Sequence, residues 1–174
     1  MKKECLYLFG CGVIAFSLLG CSEGQNEPPS AAADPSGQES SYVVDTEPPG
    51  ALAVGAARKT VEDEEEVVLV GRVGGSANPF VNGIAAFTIV DLKVPHCPDH
   101  EGCPTPWDYC CKQDQVKENI AMIKLVDQQG KLVTEDARQV LGVEPLDAVV
   151  IHGKAKRDET GNLALLADQV FIRE

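Results

Sequence analysis

Basic side chains are scarce in this sequence. Against 27 Asp and Glu stand only 15 Lys and Arg, a net charge of −12 over 174 residues. Nucleic-acid binding rests on neutralising phosphates with Lys and Arg, so the balance argues against such partners. It favours solubility and repels anionic surfaces. Aromatic residues make up 5 % of the chain, too few for the stacking platforms that hold single strands. No HExxH, nucleophile elbow or phosphate-cradling glycine loop is present, and His152 lies in a strand pattern with no acid beside it. No enzymatic role is expected. Internal repeats are lacking, and no apolar run reaches the about 20 residues that span a bilayer comfortably.

The amino terminus, MKKECLYLFGCGVIAFSLLGCSEG, pairs Lys2 and Lys3 with an apolar run from Cys5 to Leu19 and a small residue before Cys21. This is the layout of a secretory signal. Leu18, Leu19, Gly20 and Cys21 resemble the lipobox of bacterial lipoproteins. The resemblance implies a signal peptide over residues 1–20, diacylglyceryl attachment to the Cys21 sulfur, cleavage before Cys21 and acylation of the new amino group. Three acyl chains, at about 0.8 kcal/mol per buried methylene, hold a protein firmly on a membrane. The expected location is therefore the extracytoplasmic face of the cell envelope. Ser22, rather than Asp, points to the outer membrane where enteric-type sorting applies. Without Lys2, Lys3 and Glu4 the mature chain carries 13 basic and 26 acidic side chains, a net of −13.

Residues 21–66 are rich in Glu, Pro, Ser, Ala and Gly, with no sustained apolar period, and are expected to be a disordered tether. Within them the acidic run Glu62–Glu66 reads as a solvated linker end rather than a cation site. Residues 67–174 are long enough for one domain and not two. Val67–Val73 is a β-rich run with Gly71 inside it, which suggests a bend. "IAAFTIVDLKV" from Ile84 alternates Ala85, Phe87 and Ile89 against Ala86, Thr88 and Val90, with both faces apolar enough to be covered. Asn119–Val126, Ala148–Lys156 and Leu163–Ile172 supply three further strands, the last two as a hairpin. Between the third and fourth strands a short helix is expected, capped by Thr134, with Ala137, Val140 and Leu141 on one face and Gly142 as its stop.

Three strands, a short helix and two strands resemble the OB-fold, a small five-stranded Greek-key barrel. The glycine within the first strand (Gly71) and the "GRV" and "FTIVD" phrasing of the first hairpin add to the likeness. Many OB-folds bind single strands or oligosaccharides on the face of strands two and three. This chain departs from that pattern. From Val67 onward it has 11 Lys and Arg against 15 Asp and Glu, and Phe87 is the one aromatic of the second and third strands. No nucleic-acid partner is expected. Partners are instead the membrane, through the acyl anchor, and an envelope protein or small ligand.

The segment from residue 95 to 118 joins the second and third strands. It contains "HCPDHEGCPTPWDYCC" from His96 to Cys111, with Pro95, Pro98, Pro104 and Pro106 barring a helix through its first half. Of seven cysteines, Cys5 and Cys11 leave with the signal and Cys21 takes lipid, so four remain, all here. Two arrangements suit them. Disulfides would join Cys97 and Cys103 each to one of Cys110 and Cys111, as an oxidising compartment favours. A metal, zinc being the type case, would take thiolates from Cys97, Cys103 and one or both of Cys110 and Cys111, with His96 or His100 as a nitrogen donor. No CxxC stands beside a helix start, which argues against a thioredoxin-like centre. Trp107 and Tyr109 are expected to cover the loop's interior; exposed, they would make it a recognition surface. The lipid expectation has a direct check: Cys21→Ser should abolish labelling by radioactive palmitate and release the protein from the membrane fraction, and a variant that still labels would refute it.

Overall fold

A computed structural model of the chain describes residues 41–98 and 102–173. The signal segment and Cys21 lie outside the described residues. Seven strands form one sheet: β1 (Leu52–Ala53), β2 (Glu66–Val73), β3 (Phe80–Val81), β4 (Ala86–Val90), β5 (Ile120–Leu125), β6 (Ala148–Arg157) and β7 (Leu163–Arg173). Five of them close a barrel in the ring order β2, β4, β5, β7, β6 and back to β2. Within that ring only β5 and β7 run parallel.

Alternation creates the core. Along β2 every second residue faces inward, so Val67, Leu69 and Val73 are buried while Val68 and Arg72 are only half-covered. Phe87 and Ile89 of β4, Ile123 and Leu125 of β5, Ile151 of β6 and Leu165 of β7 meet them inside the barrel, each with no exposed surface. Burying such a side chain fully contributes about 1.5–3 kcal/mol. The outward residues Ala86 and Val90 are buried as well; over Val90 the segment that follows β4 folds back, packing Val94, Tyr109 and Val116 on it.

Closure of the barrel is narrow. Arg72 and Val73 pair with Val90 and Ile89. Just upstream, the same edge of β2 is occupied by β1, in parallel, at Leu69 and Val70. Gly71 stands at the changeover, where a Cβ would come within 3.0 Å of the Val90 carbonyl oxygen and Ile89 Cδ1. The bend expected there is thus a place where two backbones approach closely.

The tether expectation is corrected for residues 41–66. Leu52–Ala53 form β1, and Val54–Thr60 form a helix, α1, that buries Val54 and Ala57, with Val61 just beyond, in the barrel core. Each end of α1 is held by a side chain distant in sequence. Asp91 Oδ2 accepts a hydrogen bond from Gly55 N at 2.8 Å. At the other end Arg157 donates to the carbonyls of Val61, Arg58 and Ala57. An anion at the N-terminus and a cation at the C-terminus complement the helix dipole and satisfy its unpaired backbone groups. The acidic run is engaged too: Glu64 pairs with Lys154 and Lys156.

Two further helices follow: α2 (Gln113–Glu118) before β5, and α3 (Ala137–Leu141) between β5 and β6. The cap of α3 is Asp136, which accepts from Arg138 N, and not Thr134 as expected; Gly142 ends it in the left-handed conformation. A bulge between His152 and Gly153 shifts the β6–β7 register. At Gly153 a Cβ would lie 2.3 Å from the Leu166 carbonyl oxygen and 2.8 Å from Ala167 Cα. Backbone, not a flexible side chain, would have to move. Gly153→Ala is therefore expected to lower stability by about 2 kcal/mol or more, in the range of overpacked cores, measured by urea unfolding; an unchanged midpoint would refute the close approach.

Candidate metal centre

The cysteine segment leaves β4 at Asp91 and is pinned to the outer face of the barrel. Asp91 N donates to Asn119 O at 2.9 Å, so the two ends of the segment meet. Tyr109, with no exposed surface, packs with Val90, Val94, Val116 and Ile120 in a second apolar cluster outside the barrel. Gly75 N donates to Trp107 O at 2.8 Å. At Gly74 a Cβ would lie 2.6 Å from Trp107 O and 2.9 Å from Tyr109 Cε2. The Gly74–Gly75 pair thus lets the segment lie flat against β2.

Tyr109 also sets the direction of the cysteines. Two 3-10 turns, Pro106–Asp108 and Cys110–Lys112, flank it, and it adopts a left-handed backbone with φ 55° and ψ 34°. That conformation costs a side-chain-bearing residue about 1–2 kcal/mol, offset by burial of the ring. Asp108 locks the corner: its Oδ1 accepts from Cys110 N and its Oδ2 from Thr105 Oγ1, both at 2.8 Å. Cys97 N donates to Pro106 O at 3.2 Å, which brings the first cysteine to the last two.

The sulfurs converge on one of their number. Cys110 Sγ lies 3.1 Å from Cys103 Sγ, 3.5 Å from Cys97 Sγ and 3.7 Å from Cys111 Sγ. The expected disulfides are not seen among the described residues. A disulfide holds its sulfurs about 2.05 Å apart, and a sulfur forms one such bond, whereas Cys110 has three neighbours. Thiolates on one tetrahedral zinc, each about 2.3 Å from the ion, stand about 3.8 Å apart. Donor atoms of Cys97, Cys103, Asp108 and Cys110 all lie within 4.8 Å of one another. This set can bind a metal such as zinc. Asp108 is already accepting two hydrogen bonds, and Cys111 Sγ is the other candidate for the fourth position.

The cluster's electrostatics point the same way. The backbone N–H of Cys111 stabilises the Cys97 thiolate, holding that thiol below its usual range, helped by neighbouring thiols. Hydrogen bonding to Cys110 and then Cys97 pushes Cys103 up to about 12, and bonding to Cys110 pushes Cys111 up to about 11. Cys97 is thus eased toward ionisation while Cys103 and Cys111 resist it. A divalent cation is the natural complement, since it lowers the cost of ionising several thiols at once.

The other expected donors fare differently. His96 is half-buried beside Cys97 but is not among the converging donors. His100 lies outside the described residues. Trp107 is half-buried, and its Nε1 donates to Ala77 O at 3.1 Å. His152, read from sequence as having no neighbouring acid, has two across the strands. Its Nδ1 is 2.7 Å from Asp168 Oδ1 on β7, and its Nε2 is 3.7 Å from Glu66 Oε2 on β2. Sheet register brings these together, so spacing along one strand gives no sign of them. Comparison with protein-family models and with curated protein sequences finds no match.

The Tyr109 hydroxyl has no hydrogen-bond partner among the described residues, and burial pushes its pKa up to about 12. An unpaired buried hydroxyl costs about 1–3 kcal/mol. Tyr109→Phe is accordingly expected to keep or raise the melting temperature, while Tyr109→Ala should lose about 3–5 kcal/mol. A clear loss in the Phe variant would show that the hydroxyl is bonded after all.

Proposed function

We propose that this chain is a lipid-anchored protein of the cell envelope whose OB-like barrel carries a mononuclear, zinc-type thiolate centre with a structural role. The observation that supports the centre is the hub of sulfurs around Cys110, with three neighbours at 3.1–3.7 Å. Zinc has no redox chemistry of its own and takes four such ligands in closed structural sites. Its work here is to fasten the segment from Pro95 to Glu118 onto β4 and β5. The OB-like reading is supported by five barrel strands with α3 between the third and fourth of them. The anchor rests on the likeness of Leu18–Cys21 to a lipobox. The module is read as a binding or structural one rather than an enzyme, since among the described residues no base and orienting group converge with a nucleophile at the centre.

Bound zinc also accounts for reduced thiolates outside the cytoplasm, because a coordinated thiolate is less open to pairing than a free one. Intact mass measurement of the mature chain, without reductant, is the test. One zinc per chain with all four thiols retained is expected, and Cys110→Ser should lose the metal. A mass lower by four hydrogens with no metal would refute the centre and restore two disulfides.

A further inference from the structure

Trp107 belongs to a second feature of the same segment. With Phe80, Pro145, Asn78, Asn82 and Arg138 it lines a cleft of about 380 Å³ on the flank of the barrel. That volume falls within the range of small-molecule sites, which combine apolar rings with a few polar groups. Three parts of the chain supply it: the connection from β2 into β3, the turn Pro106–Asp108, and α3 with the residues after it.

The state of each group narrows the ligand. The indole N–H is already donated to Ala77 O at 3.1 Å. It is the only hydrogen-bonding atom of a Trp side chain, so Trp107 offers ring surface alone. Arg138 sits over Phe80, its guanidinium carbon 5.2 Å from the ring centroid. Its Nε and Nη2 donate to the Asp136 carboxylate at 2.8 and 2.6 Å. That contact holds the Asp136 pKa down at about 2, so the pair stays neutral as a unit across the physiological range. Asn78 and Asn82 are exposed, and their amides have no hydrogen-bond partner among the described residues. Each keeps two donors and an acceptor for a ligand.

We infer that this cleft is a binding site for a neutral, polyhydroxylated ligand, a sugar ring of a saccharide. The ring's C–H face packs on Trp107 and Phe80, and its hydroxyls bond to Asn78, Asn82 and the remaining guanidinium N–H groups. An anion finds no uncompensated cation here, in a chain of net charge −12. A cation finds no free carboxylate, since Asp136 is taken by Arg138. A proline-rich peptide would lose the indole N–H as a donor, since it is already used, and is told apart from a sugar by direct titration. The inference does not require the metal: Trp107 is held by Ala77 and Gly75, which lie outside the cysteine segment.

Trp107 is the sole tryptophan of the chain, so intrinsic fluorescence reports on this cleft directly. The mature chain, in a sugar-free zwitterionic detergent, is titrated with cellobiose, maltose and chitobiose. A saturable change with at least one of them is expected, with a Kd near the millimolar range of small polar ligands. Asn78→Ala and Asn82→Ala, both at exposed positions, should each weaken it at least tenfold while melting as the parent does. No saturable change with any of the three up to about 50 mM, far beyond useful affinity, would overturn the inference. So would unchanged affinity in both variants, or saturation by inorganic sulfate or a decaproline peptide in place of the sugars.

Discussion

The barrel closes through a contact only two residues long, Arg72 and Val73 of β2 against Val90 and Ile89 of β4. Much of the rest follows from it. Because β4 reaches the edge of β2 only at its end, the upstream part of that edge is left for β1, which carries α1 with it. Because β4 ends at the closure point, Asp91 emerges beside the start of α1 and caps it. The chain must then travel from Asp91 to Asn119, whose backbones are hydrogen-bonded to one another. It does so by doubling back over the outer face of β4 and β5.

That doubling back explains why the segment needs its own means of support. A peripheral cluster of Val90, Val94, Tyr109, Val116 and Ile120 is small, and much of the segment between Pro95 and Lys112 is irregular. Two devices add to it. One is the glycine pair at 74 and 75, which lets backbone lie against backbone. The other is the gathering of four sulfurs, in which the Cys111 backbone N–H eases ionisation of Cys97 while neighbouring thiols oppose that of Cys103 and Cys111. Thiols brought this close gain most from a positive ion among them.

The barrel strands were legible because their side chains alternate, and alternation is a property of the chain itself. The faces of β4 could be written down from Ala85, Phe87 and Ile89. The helix α1 was not read, although Val54, Ala57 and Val61 stand at i, i+3 and i+7. Its seven residues are too few to form a stable helix alone, and its caps come from Asp91 and Arg157, far along the chain. The cysteines could be named but not arranged, since their convergence depends on Tyr109 adopting a left-handed corner that sequence favours for Gly or Asn. His152 was misjudged for a related reason: its acids belong to β2 and β7.

The contacts between the amino-terminal part and the last strand carry a mechanical meaning. Tyr42 and Val44 bracket Val170 with backbone hydrogen bonds of 2.7 and 3.0 Å, and Glu47 clasps Arg173. Tension applied to the chain upstream of residue 41 arrives first at β7, which pairs with β6 along its length and with β5 at Ala164–Ala167. Any pull from that end is thereby met at a strand paired along its length rather than at a loop. The sulfur cluster and the cleft beside Trp107 draw no residue from that strand.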